Sequence, residues 1–193
     1  MTSHFQRAVL AVLLLTLTVS SATVSPAKIV TSARSQIGVT VAYDPSYQQL
    51  DYPGGDVPKK TGVCADVVVR ALREQGMDLQ KLMHEDMKRN FDSYPKKWGL
   101  TKPDRNIDHR RVPNLMTYFQ RQGYLQSAST KAEHFAGGDI VAWQLEGGLT
   151  HIGIISDRRS AQGTPLVIHN IGGGTQEEDV LFKFRVTGHY RVK

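Results

Sequence analysis

Apolar residues recur at helical spacing from Pro26 to Ile37, at Ile29, Val30, Ala33 and Ile37, and Gly38 follows as a stop. Residues 43–62 then break regular structure repeatedly, at Asp44-Pro45, Tyr52-Pro53-Gly54-Gly55, Val57-Pro58 and Gly62. A second helical stripe starts at Cys64, with Val67, Val68, Ala71 and Leu72 on one face, Arg70, Arg73 and Glu74 on the other, and Gly76 at its end. Asp78 is placed to cap a third helix through Leu79, Leu82, Met83 and Met87. Residues 91–111 read as a long irregular loop, and Pro113 suits the first turn of a fourth helix ended by Gly123. Beyond Gly137-Gly138 the period changes from helical to strand-like. Asp139–Trp143, Thr150–Ser156, Leu166–Ile171, Val180–Val186 and His189–Val192 all read as strands. Helices first and strands afterwards predict an α+β domain with an antiparallel sheet.

The first 27 residues stand apart from this pattern. His4 and Arg7 precede an apolar run from Ala8 to Leu15, extended through Leu17 and Val19, and small residues follow at Ser20, Ser21, Ala22, Ser25 and Ala27. That order is the plan of a secretory signal peptide, with cleavage expected after Ala22 or Ala27. The run is about 12 residues, short of the ~20 that cross a bilayer comfortably, so no stable membrane span is expected after cleavage. Residues 28–193 are then one domain, periplasmic or secreted. Losing Arg7 and no acid lowers the net charge from +6 to +5. A basic surface suits anionic surroundings such as a cell wall. With no dense basic run and no nucleic-acid motif, a nucleic-acid partner is not expected. A monomer is.

One cysteine, Cys64, is present. It cannot form an internal disulfide, and a lone thiol in an oxidising compartment raises the prior for a reactive role. At a helix start it meets the positive end of the dipole, which favours the thiolate, and the first-turn N–H groups are free to donate to an oxyanion. Thr150-His151-Ile152-Gly153-Ile154 puts His151 near the start of a strand, with Gly153 on the same face leaving room for a neighbour. His169 lies on the next strand, where it can fix the tautomer of His151. Each residue alone also suits a core or surface place. A zinc site from Cys64, His151 and His169 is the alternative, but no close-spaced ligand pair accompanies them. No cofactor is expected.

Gly62-Val63-Cys64-Ala65-Asp66-Val67-Val68-Val69-Arg70-Ala71-Leu72 resembles the nucleophile helix of NlpC-type cysteine peptidases. Gly138-Asp139-Ile140-Val141-Ala142-Trp143 resembles their strand before the base, Thr150–Ser156 the base-bearing strand, and Val167-Ile168-His169 the strand of the third polar residue. Order and spacing agree over residues 62–172, and within that superfamily the chain most resembles an exported bacterial subfamily catalogued as a domain of unknown function. The resemblance implies a papain-like NlpC-type fold with Cys64 as nucleophile at a helix N-terminus, His151 as base and His169 as orienting residue. It also implies an upstream tyrosine near the oxyanion, for which Tyr43 is the candidate and Tyr52 the reserve. Asp66, His109 and Arg110 are candidate substrate contacts; for Asp66 the alternative is support of the helix N-terminus, and for the other two a solvated loop.

Two departures stand out. The acid-Cys-Ser-Gly stretch of the family is replaced by Gly62-Val63-Cys64-Ala65-Asp66, and the insertion at 77–136 is long. The implied activity is hydrolysis of amide bonds in peptidoglycan stem peptides through a Cys64 thiolate–His151 imidazolium pair. The alternatives are an amidase or acyltransferase acting on another envelope substrate, and a wall-binding protein without turnover.

Overall fold

The computed structural model describes residues 23–193. Most of the leader segment, residues 1–22, lies outside them. Helix α1 (Pro26–Arg34) carries Ser25 as its cap, whose hydroxyl accepts from Lys28 N–H, and it buries Ile29, Val30 and Ala33. The folded unit thus begins a little before residue 28, and α1 ends earlier than the expected Ile37. The turn-rich stretch that follows contains two short parallel-paired strands, β1 (Ala42–Tyr43) and β2 (Thr61–Gly62).

Helix α2 (Cys64–Arg73) follows β2 directly and is buried along most of its length. Asp66 in its first turn accepts the N–H of Val63 at 2.7 Å, satisfying a donor that the helix start leaves unpaired. Asp78 caps α3 (Leu79–Asn90) as the sequence predicts, and α4 (Val112–Arg121) has its proline in the first turn. The loop between α3 and α4 holds two short 3₁₀ turns, Phe91–Ser93 and Asp108–Arg110.

The sheet has five antiparallel strands: β3 (Ile140–Gln144), β4 (Thr150–Arg159), β5 (Pro165–Asn170), β6 (Thr175–Glu178) and β7 (Arg185–Tyr190), in the order β6-β5-β4-β3-β7. Alternation along β3 assigns its two faces. Ile140 and Ala142 join Ile152, Ile154 and Ile168 beneath the helices, in a core completed by Val68, Leu72, Met83, Leu115 and Phe119. Val141 and Trp143 join Val167, Phe135, Val180 and Leu181 on the opposite face. That second cluster corrects the predicted strand at Val180–Val186. Residues 181–183 form a turn, and Val180 and Leu181 are buried side by side as a cover, where strand geometry would send them to opposite faces. The predicted strand at His189–Val192 corresponds to the end of β7. Among the described residues no helix is long and apolar enough to cross a membrane.

Candidate active site

Three elements converge on Cys64. The residue opens α2, so its thiol sits where the helix presents unpaired N–H groups. The side-chain amide of Asn170, at the end of β5, donates to the carbonyl of Gly62 at 3.0 Å and fastens the entry to α2 onto the sheet. On β4, the backbone N–H of Ile152, next to His151, faces the thiol together with the N–H of Ala65 and the hydroxyl of Tyr43.

The histidines are joined directly. Nε2 of His151 is 2.8 Å from Nδ1 of His169, and the rings meet edge to face at 5.0 Å. Trp143, paired with His151 across the β3–β4 ladder, stacks on its ring at 5.5 Å. Gly153 makes this approach possible: a Cβ there would lie 2.8 Å from Val167 Cγ1 and 3.1 Å from His169 Cβ. The sequence reading of Gly153 as room for a neighbour thus has a named neighbour, His169.

Electrostatics differ from the sequence expectation. Burial pushes the Cys64 thiol up to about 11. The N–H groups of Ile152 and Ala65 and the Tyr43 hydroxyl pull it down, while Asp66 adds to the rise. Burial likewise lowers His151 to about 3, with His169 contributing in the same direction. At both groups burial works against the charged form, and at the thiol it opposes the helix terminus. Tyr43 is raised as well, first by burial and then by the charge of Cys64.

A cleft of about 400 Å³ opens onto Cys64, lined also by Tyr43, Val63, Arg110 and Thr150. Its rim includes Arg111, a neighbour of the candidate Arg110 in the sequence reading, and Tyr47 and Trp98, which that reading did not single out. The Arg111 guanidinium lies 4.2 Å over the Trp98 ring and donates to Asp108 at 3.1 Å. Aromatic residues in an irregular loop carry no periodic signal, so only the lining reveals them.

The three candidate substrate contacts are placed differently from one another. Asp66 and Arg110 form a buried, two-pronged pair, Nε to Oδ1 at 3.0 Å and Nη2 to Oδ2 at 3.0 Å. Arg110 also donates to the carbonyls of Ser46 and Asp44, both at 3.0 Å. Asp66 therefore supports the helix start and anchors Arg110, and Arg110 divides its donors between Asp66 and the segment next to Tyr43. His109 is not among the cleft residues. It is buried in its 3₁₀ turn, and its Nδ1 has no partner among the described residues.

Burial, reinforced by Arg73 and Arg110, brings His109 down to about 4. The folded state therefore keeps His109 neutral while the unfolded chain protonates near pH 6.5, so acid favours unfolding as pH falls from about 6.5 towards 4. His109→Gln is expected to flatten the pH dependence of the urea midpoint by about 2–3 kcal/mol between pH 7 and pH 4.5. An unchanged pH dependence would count against a buried neutral His109.

Residues 30–192 match the family described as a domain of unknown function, DUF1287. Over 159 residues the chain is 62% identical to the protein named Uncharacterized protein YijF of Escherichia coli (strain K12), covering 82% of this chain and 78% of that one. Among solved structures, two crystal structures of an N-acetylmuramoyl-L-alanine amidase from Bacteroides uniformis align over 87% of this chain. They cover 98% and 99% of theirs, at 14% and 12% identity and TM-scores of 0.56 and 0.55. NlpC1 from Trichomonas vaginalis aligns over 86% of this chain at 12% identity and a TM-score of 0.46. The chain spans 44% of that protein's length. The fold is α+β, as the sequence predicts, and is shared with the two Bacteroides uniformis structures. With a family match across nearly all of the described residues and a close relative beside it, the chain belongs to the DUF1287 family.

Proposed function

We propose that the protein is an exported cysteine hydrolase that cleaves amide bonds in peptidoglycan stem peptides. The observation that carries this reading is a thiol at a helix N-terminus that lines a cleft and faces the backbone N–H of Ile152, the residue next to a histidine hydrogen-bonded to a second one. The amidase named among the structural neighbours supports the substrate class.

In this reading the neutral pair is the starting state. Substrate enters the cleft, the Cys64 S–H proton passes to His151, and the new S–C bond forms at the amide carbonyl. The helix-start N–H groups and the Tyr43 hydroxyl receive the negative charge that develops on oxygen. The C–N bond then breaks as His151 returns the proton to the leaving amine. Water, deprotonated by His151, next cleaves the thioester and restores the thiol. His169 holds the ring of His151 through its Nε2 throughout.

Digestion of purified peptidoglycan by the leaderless chain, beside Cys64→Ala, tests the reading. Stem-peptide fragments found by mass spectrometry only with the wild type are the expected result. A Cys64 that alkylates rapidly while no fragments appear would overturn the substrate. A Cys64 that resists alkylation across the pH range would point to a wall-binding protein instead.

The leader also acquires a structural expectation. Cleavage after Ala27 would remove Ser25 and Pro26, the cap and first residue of α1, whereas cleavage after Ala22 keeps both. Losing such a cap costs about 1 kcal/mol. The exported protein is therefore expected to begin at Thr23, which its intact mass would report; a mass beginning at Lys28 would refute it.

A further inference from the structure

Beyond the trio, the β5–β6 ladder brings a fourth polar residue to the histidine pair. His169 pairs with Gln176 and Val167 with Glu178, so Glu178 shares the His169 face at the diagonal position, within reach of a long side chain. Its Oε2 lies 3.0 Å from Nε2 of His169. The carboxylate sits off the N–H axis, so the contact is electrostatic more than a straight hydrogen bond. The two side chains differ in exposure: His169 shows 1% of its surface and Glu178 39%. Nε2 of His169 is sealed from water and, among the described residues, has no hydrogen-bonding partner.

We propose that Glu178 is a positioning residue that sets the tautomers of both histidines and leaves Nδ1 of His151 unprotonated for Cys64. The inference rests on the reading of Cys64 and His151 as nucleophile and base. Proton counting links the carboxylate to the catalytic nitrogen. A neutral imidazole carries one N–H, and a carboxylate offers lone pairs and no proton. With Glu178 at its Nε2, His169 keeps its proton there, because the other tautomer would set a nitrogen lone pair against carboxylate oxygens. Nδ1 of His169 must then accept, so Nε2 of His151, 2.8 Å away, must be the donor. The single proton of His151 is thereby assigned, and its Nδ1 is left as the free base. The opposite arrangement would place a proton on Nδ1 of His151, which could not then take one from the thiol.

The charges around the pair are few. Glu178 on β6 favours a proton on His169, Lys183 in the following turn opposes it, and burial is the largest influence, holding His169 below its usual value. On the thiol side stand Cys64 and Asp66 on α2, Tyr43 on β1, and Arg110, which pairs with Asp66 and lines the cleft. Trp143 covers both rings without charge. Glu178 also offsets positive charge on the pair when His151 holds the proton taken from Cys64.

The test combines nitrogen NMR of the 15N-histidine-labelled chain with the rate of Cys64 alkylation by iodoacetamide against pH. Wild type, Glu178→Ala, Glu178→Gln and His151→Ala are compared, with thermal midpoints alongside. The expected result is protonated Nε2 on both histidines in the wild type and a shift towards protonated Nδ1 in Glu178→Ala. Alkylation should then slow by about 10- to 100-fold, the range seen when a partner orienting a ligating histidine is lost. The midpoint should stay unchanged, and Glu178→Gln, whose amide oxygen keeps lone pairs towards Nε2 but loses the charge, should recover part of the rate. Unchanged tautomers in Glu178→Ala, or changed tautomers with an unchanged rate, would overturn the inference and leave the catalytic reading intact. If His151→Ala alkylates as fast as the wild type, the nucleophile–base reading falls, and this inference with it.

Discussion

Arg110→Met is expected to destabilise the fold by about 3–5 kcal/mol, because it strands the carboxylate of Asp66 in a site that water does not reach. Both side chains are nearly sealed, 2% and 4% exposed, and the pair spans 44 positions of sequence. The substitution also releases the carbonyls of Asp44 and Ser46. Asp66→Asn should show a loss of the same sign. Its side-chain oxygen can still accept from Val63, but the guanidinium is left without a counter-charge. The double variant Asp66→Leu with Arg110→Met should recover part of the loss, since apolar groups of similar volume often replace a buried pair without penalty. Recovery stays incomplete, because Val63 N–H and the two carbonyls remain without partners. Urea midpoints of the three variants measure this. Single losses under about 1 kcal/mol would mean that the pair does not hold the α2 entry to the Tyr43 segment.

That pair also marks where sequence reading stops. Cys64, His151 and His169 were legible because each sits within an element with its own local signature: a helix start after Gly62, and two apolar strands interrupted by a polar residue. The helices α2, α3 and α4 were legible through their stripes, a capping aspartate and a first-turn proline. Strand β6 was not, because Thr175–Glu178 is a polar edge whose order comes from pairing with β5. The apolar residues from Val180 onwards misled for the converse reason: their hydrophobicity serves to cover Val141, Trp143 and Val167, with no ladder involved. Asp66–Arg110 and His169–Glu178 join elements with no periodic relation, and charge in an irregular loop gives no hint of burial. The influence of burial on the thiol was hidden on the same ground. The helix terminus is visible in the sequence, whereas the desolvation that opposes it exists only once α2 is packed on β4.

His151→Ala is expected to lower hydrolysis by about 10²–10⁴-fold, the usual contribution of a positioned acid–base group, with binding of the substrate little changed. The size follows from the state of the thiol. Because burial holds Cys64 up to about 11, almost no thiolate is present at neutral pH, and the nucleophile depends on a base within its site. Without His151, only the small thiolate fraction reacts, and that fraction grows with pH. The variant's residual rate should therefore climb through the alkaline range. The wild type should not show that climb. Its base is lowered to about 3 and is unprotonated throughout the neutral range, so its acid limb should lie well below pH 6.5. The sign is fixed by the direction of the shift: a depressed imidazole stays a competent base to lower pH, down to where acid unfolding intervenes. Circular dichroism at each pH separates the two losses. An acid limb at or above pH 6.5, in protein still folded, would show that His151 works as part of a preformed ion pair, and the neutral starting state would have to be given up.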